Sequence, residues 1–277
     1  MHETLIDAEQ LSNSYRIKDW VVLDCRYDLS DKTAGKKAYL EGHIPGALYV
    51  DLHTHLAGNV TPDSGRHPLP GVDRLVEVFS SLGISKDSQV IAYDSASGAF
   101  AARAWWLLRY MGHTQVAVLD GGWPAWLAAG QDSEGGEVQA EKAEFTGEAR
   151  VDRVIELDDV LSSELLIDSR EGPRYRGEVE PIDPVAGHIP GALNRSWKEN
   201  LDAEGKFLPA AELHGQFMDI LAATAANDAV FYCGSGVTAC HNLLALAHAG
   251  LPEARLYPGS WSQWCSSKDR PIATGSE

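Results

Sequence analysis

Two stretches of this 277-residue chain are near copies of each other. Gly42-His43-Ile44-Pro45-Gly46-Ala47-Leu48 returns as Gly187-His188-Ile189-Pro190-Gly191-Ala192-Leu193. Val21-Val22-Leu23-Asp24-Cys25-Arg26 is echoed by Leu165-Leu166-Ile167-Asp168-Ser169-Arg170, and Val90-Ile91-Ala92-Tyr93-Asp94 by Ala229-Val230-Phe231-Tyr232-Cys233. Trp123-Pro124-Ala125-Trp126 answers Trp261-Ser262-Gln263-Trp264. Order and spacing agree throughout, so the chain is two copies of one unit. Within each copy, short β-branched runs alternate with amphipathic stretches such as Gly71–Leu82 and Ala101–Met111. That alternation predicts an α/β fold: two tandem domains, each a mainly parallel sheet flanked by helices on both faces. The expected limits are 1–132 for the first domain and 150–277 for the second. Residues 133–149, rich in Gly and charge and lacking apolar periodicity at their start, read as a linker. Two fused domains imply a cleft between them.

The copies differ at one position with chemical consequences. The apolar run Ala229–Tyr232 delivers Cys233 into Gly234-Ser235-Gly236-Val237-Thr238-Ala239, and a helix-like stretch follows. A strand, a tight loop and a helix start direct several backbone N–H groups, and the positive end of a helix dipole, at whatever the sulfur carries. Both effects favour thiolate, the form in which a cysteine is a nucleophile. In the first copy the same place holds Asp94, which has no sulfur to transfer. Only the second domain is expected to react, with the first supplying a wall of the cleft.

The totals narrow the partners. A net charge of −17 and a pI near 4.9 exclude electrostatic attraction to a nucleic-acid backbone or an acidic membrane. Cys25, Cys233, Cys240 and Cys265 have no framework spacing, which suggests a reducing compartment. The polar start Met1-His2-Glu3-Thr4 has no apolar signal core and no run is long enough to span a bilayer, so a cytoplasmic protein is expected. Cys233, Cys240 and His241 are poorly spaced for zinc, and His53-Thr54-His55 reads as a loop or strand edge. No metal and no cofactor is predicted. Cys240 and Cys265 read as buried packing residues, and Leu243, Leu244, Leu246 and Ala247 as the buried stripe of the helix behind the loop.

Taken together, these segments resemble the rhodanese superfamily of sulfurtransferases over nearly the whole chain. The paired Asp-x-Arg and Gly-His-Ile-Pro-Gly-Ala segments look like its signatures, and Cys233-Gly234-Ser235-Gly236-Val237-Thr238 looks like the active loop of its 3-mercaptopyruvate branch. The resemblance implies a sulfane sulfur carried as a Cys233 persulfide from 3-mercaptopyruvate to thioredoxin, a small thiol or cyanide, with release of pyruvate. It implies donor binding by Arg174 and by the amides of Gly234, Ser235, Gly236, Val237 and Thr238. Arg103 matches an arginine of the first domain that faces the shared cleft. Ser235 and His67 match members of a proposed proton relay, which with Cys233 completes the catalytic set. A monomer suffices, since two fused copies already build the cleft.

Two positions depart from the branch pattern. Nine places after Arg174, where a second anion-binding arginine is expected, stands Asp183, and the relay aspartate is replaced by His53. Arg66, beside His67, is placed to restore some positive charge. The alternative donor is thiosulfate, favoured by Asp183 and opposed by Ser235, because thiosulfate-using relatives carry a basic residue at that place. A phosphatase-like loop needs an arginine six positions after the cysteine, where this chain has Ala239. A non-catalytic interaction module suits the first domain, with its Asp94, better than the whole chain.

Overall fold

A computed structural model describes residues 1–276. They form two compact units. The first is built from Met1–Gly58, Pro70–Arg150 and Ala203–Lys206; the second from Asn59–Leu69, Val151–Asp202 and Phe207–Glu277. Each carries a parallel sheet flanked by helices, as the alternating pattern predicts. No helix among the described residues is long and apolar enough to cross a membrane.

In the first unit the elements run β1 (Leu5–Ile6), α1 (Ala8–Ser12), β2 (Trp20–Asp24), α2 (Ala34–Glu41), β3 (Leu48–Tyr49), α3 (Val72–Ser81), β4 (Gln89–Tyr93), α4 (Ala101–Tyr110), β5 (Val116–Leu119) and α5 (Gly122–Ala128). The sheet order is β1-β5-β4-β2-β3, every pairing parallel. The second unit has β6 (Leu165–Asp168), α6 (Gly172–Tyr175), β7 (Leu193–Asn194), α7 (Ala210–Leu221), β8 (Ala229–Tyr232), α8 (Ala239–His248), β9 (Arg255–Leu256) and α9 (Ser260–Trp264). Its order is β7-β6-β8-β9, again parallel. A single parallel bridge, Val154 to Leu256, stands where the first unit has β1 beside β5. The central strands β4 and β8 are buried at every residue, as parallel strands covered on both faces must be.

The repeated segments prove to be architecture. Asp24 and Asp168 end equivalent strands in equivalent register, Asp24 beside Tyr93 and Asp168 beside Tyr232. Each holds the arginine two places on through a bidentate pair, Arg26 Nη2 at 2.5 Å and Arg170 Nη2 at 2.6 Å from the carboxylate. Each guanidinium also caps a carbonyl of the second repeated segment, Gly42 at 2.6 Å and Gly187 at 2.7 Å, and lies over a tryptophan, Trp123 or Trp261. His43 and His188 stack on Tyr39 and Tyr175 and bond the carbonyls of those tyrosines, whose hydroxyls donate to Ala47 and Ala192. A planar, always charged guanidinium is suited to such a buried bracket because its fixed fork satisfies carboxylate and carbonyl at once.

Residues 133–149 contain no helix or regular strand and lie along the first unit. Glu134 bridges His43, the Val138 amide donates to Tyr39, and Phe145 is buried against Phe79. Helix α8 departs from the single stripe expected of it. Ala239 through Leu246 are all buried, because β8, α7 and the 3-10 turn Trp197–Asn200 enclose it. The polar members of that helix find partners inside: Asn242 accepts from Arg195 at 2.8 Å, and His241 stacks on Phe207. Ala247 lies at the margin of this buried surface.

Candidate active site

Cys233 leaves the end of β8 and enters a loop fixed from behind by the start of α9. The Cys233 N–H donates to Ser260 Oγ at 3.1 Å, while the carbonyls of Cys233 and Gly234 accept from the amides of Trp261 (3.0 Å) and Ser262 (2.9 Å). In a trans peptide the N–H points opposite to its carbonyl, so these bonds turn the N–H groups of Gly234 and Ser235 away from α9. Ser260 holds this place with φ +54, a left-handed conformation that is rare outside glycine. Gly236 has φ +76, and a Cβ there would lie 2.4 Å from the Pro258 carbonyl oxygen. Only glycine fits that position.

The sulfur sits at a residue that is 1% exposed. Above the loop stand two guanidiniums. A Cβ built on Gly234 would meet Arg66 Nη2 at 3.0 Å and Arg174 Nη1 and Nη2 at 3.5 Å. Burial lowers the pKa of Arg66; the Cys233 sulfur pulls it back up and Arg174 pushes it down, which places all three groups in one electrostatic neighbourhood. Arg66 Nη1 pairs with Asp183 Oδ1. Arg174 Nη2 reaches Glu180 Oε1 at 2.7 Å and Asp183 Oδ2 at 3.3 Å. Asp183 therefore joins both guanidiniums through opposite oxygens. Glu180 is a member that the sequence did not single out: nothing in Gly177-Glu178-Val179-Glu180 distinguishes it from a solvated acid, yet its side chain is 3% exposed.

His67 and Ser235, 168 residues apart, meet with Nδ1 2.8 Å from Oγ. His67 is 2% exposed and Ser235 7%, so this imidazole is enclosed, unlike an ordinary loop histidine. Their pairing follows from the inclusion of Asn59–Leu69 in the second unit. The backbone N–H of Arg66 donates to Ser262 Oγ at 3.1 Å and Gln263 Nε2 to the Asp63 carbonyl at 2.9 Å, anchoring that segment. Val237 and Thr238 complete the turn into α8, with Thr238 its N-cap residue.

Other positions lie elsewhere. Arg103 belongs to α4 of the first unit, fully buried, with Nε 3.3 Å from the Leu56 carbonyl. His53, also in the first unit, bonds the Tyr27 hydroxyl at 2.6 Å. Cys240 is buried in α8 with Sγ 3.3 Å from the Gly236 carbonyl, bracing the loop from inside. Cys265 is buried at the end of α9; burial raises its pKa and Arg66 opposes this. All four cysteines are unbridged. Among the described residues no group of three His, Cys, Asp or Glu side chains is placed to hold a metal ion.

The first unit carries the equivalent loop, between β4 and α4, filled by its own side chain. The Asp94 carboxylate accepts N–H bonds from Ala96 (2.7 Å), Gly98 (2.9 Å), Phe100 (2.8 Å) and Ala101 (2.8 Å). Burial pushes its pKa up while these donors pull it down. The loop that follows strand four of this unit is thus an amide ring around an anion.

A model of the rhodanese-like domain matches residues 7–129 and 151–267. The chain is 47% identical over 279 residues to a protein of Pseudomonas aeruginosa provisionally named 3-mercaptopyruvate sulfurtransferase, covering 98% of each. It is 38% identical over 288 residues to a protein of Mycobacterium tuberculosis provisionally named a thiosulfate sulfurtransferase, covering 99% of this chain and 98% of that one. A solved structure, the 3-mercaptopyruvate sulfurtransferase from Leishmania major, superposes with a TM-score of 0.86 at 29% identity, over 98% of this chain and 76% of that one.

Proposed function

Because this chain belongs to the rhodanese-like domain family, we propose that it is a sulfurtransferase that takes sulfur from 3-mercaptopyruvate, carries it on Cys233 as a persulfide, and passes it to a thiol or cyanide. The Cys233 thiolate attacks the donor sulfur. The carbon–sulfur bond breaks, its electron pair stays on carbon, and pyruvate departs as the enolate. A proton then adds to that carbon. Arg174 and Arg66 hold the donor carboxylate, and the amides of Gly234 through Thr238 face the sulfur anion in the manner that Asp94 exhibits in the sister loop. Attack by an acceptor thiolate or cyanide on the outer sulfur regenerates Cys233, so the kinetics are ping-pong. The unbridged cysteines suit a reducing compartment such as the cytoplasm.

The observation that carries the choice of donor is Ser235 bonded to His67 at the second position after the nucleophile. An enolate needs a proton at carbon, and a hydroxyl backed by an imidazole is suited to deliver it. Thiosulfate leaves as sulfite, which needs none, and as a dianion it gains from a cation at the place where this loop has Ser235. The similarity to the mycobacterial relative favours thiosulfate as the second reading. Comparing kcat/KM for the two donors with cyanide as common acceptor tests the assignment: mercaptopyruvate should lead, and a lead for thiosulfate reverses it. Cys233 should gain the mass of one sulfur atom after donor treatment.

A further inference from the structure

We propose that Asp183, which in the sequence alone speaks for thiosulfate, acts in the opposite sense as a charge filter: by bridging Arg66 and Arg174 it neutralises the donor site in advance and so favours singly over doubly charged sulfur donors. This rests on the sulfurtransferase reading. Three guanidiniums, Arg66, Arg170 and Arg174, face three carboxylates, Asp168, Glu180 and Asp183. Any donor therefore enters a balanced site.

The carboxylates are not equivalent. Asp168 is locked to Arg170 by bidentate bonds and by the backbone N–H of that residue. Glu180 bonds Arg170, Arg174 and the backbone N–H groups of Ile182 and Asp183. Asp183, held between Pro181 and Pro184, is the one whose ion pairs, among the described residues, run only to the two guanidiniums that lean over Gly234. It is thus the group that an arriving carboxylate competes with. Its negative charge repels a donor anion in proportion to the donor's own charge. If removing it strengthens binding of a monoanion by some factor, a dianion at the same place gains the square of that factor.

The test uses the full chain and two inert anions, pyruvate with one charge and sulfate with two, titrated calorimetrically. In Asp183→Asn, pyruvate should bind about tenfold and sulfate about a hundredfold tighter, one factor of ten per unit of ligand charge. Asp183→Glu, which keeps the charge, should leave the ratio of the two affinities where it was; a ratio that moves as far as in Asp183→Asn overturns the filter. Arg66→Gln should shift the ratio the opposite way, weakening sulfate more than pyruvate, and serves if Asp183→Asn does not fold. Equal shifts for the two anions, or none, overturn the filter. Sulfur loading of Cys233, followed by mass, reports separately on the sulfurtransferase reading: a chain that never takes sulfur yet shows the squared response sinks that reading alone.

Discussion

At the scale of single residues, division of labour within the loop is the informative feature. Cys233 has its amide and carbonyl committed to α9, so its sulfur is the part left to react. Cys233→Ser is expected to abolish sulfur transfer with either donor while leaving the thermal midpoint near that of the parent, since the hydroxyl is slightly smaller and polar at a site already lined by polar groups. Retained transfer in that variant would remove Cys233 from the mechanism. Ser235 is proposed to supply a different service. Ser235→Ala should lower kcat with mercaptopyruvate by about 10²–10⁴-fold and leave thiosulfate turnover within about tenfold, because only the first reaction ends on carbon. Parallel losses with both donors would mean that Ser235 merely shapes the loop. That Cys233 and Ser235 share a tight loop at the end of a strand is legible in the sequence, since a Cys between an apolar run and two nearby glycines says where it goes. Arg66 stands out in the sequence only as the neighbour of His67, and Glu180, six places after Arg174, looks like a solvated acid; their ion pairs are set by the fold.

At the scale of elements, the reactive loop is stretched between β8 and α8 and pinned by the first turn of α9. Two backbone conformations maintain the pinning: the left-handed Gly236 and the left-handed Ser260. Gly236→Ala would combine left-handed strain of roughly 1–2 kcal/mol with a Cβ 2.4 Å from the Pro258 oxygen. The urea midpoint should fall and transfer activity should drop more steeply than stability, because the loop must shift to relieve the contact. A midpoint that holds with full activity would show that the turn is softer than described. The same scale explains why α8 is buried beyond the stripe that its leucines define. Cys240 is buried as its type predicts, whereas His241 and Asn242 look polar enough to face solvent. All three find partners inside, in Gly236, Asn200 and Arg195. Arg195 itself is enclosed by neutral amides, and burial brings its pKa down to about 10.

For the whole molecule, the repeat made the α/β plan and the parallel sheets readable, because each signature recurs at the same place relative to its strands. That Asn59–Leu69 packs with the second unit is set by tertiary contacts such as Arg66 with Ser262, which no periodicity encodes. Burial also governs how the first unit answers to acid. It is the main cause that lowers the pKa values of His2, His53, His55 and His113 below 6.5. The folded form then binds fewer protons than the unfolded chain between those lowered values and about 6.5. Stability therefore rises with pH through that window, is complete above it, and is lost as pH falls. His113→Gln should flatten the rise in denaturant midpoint between pH 5 and 7, and an unchanged slope would assign the acid sensitivity elsewhere. Asp94 gives the two halves a last asymmetry. The first half keeps a tethered carboxylate in its amide ring and needs no guest to be whole. The second comes to the same condition only on loading, so sulfur donors should raise the melting temperature of the C-terminal half and leave its twin indifferent.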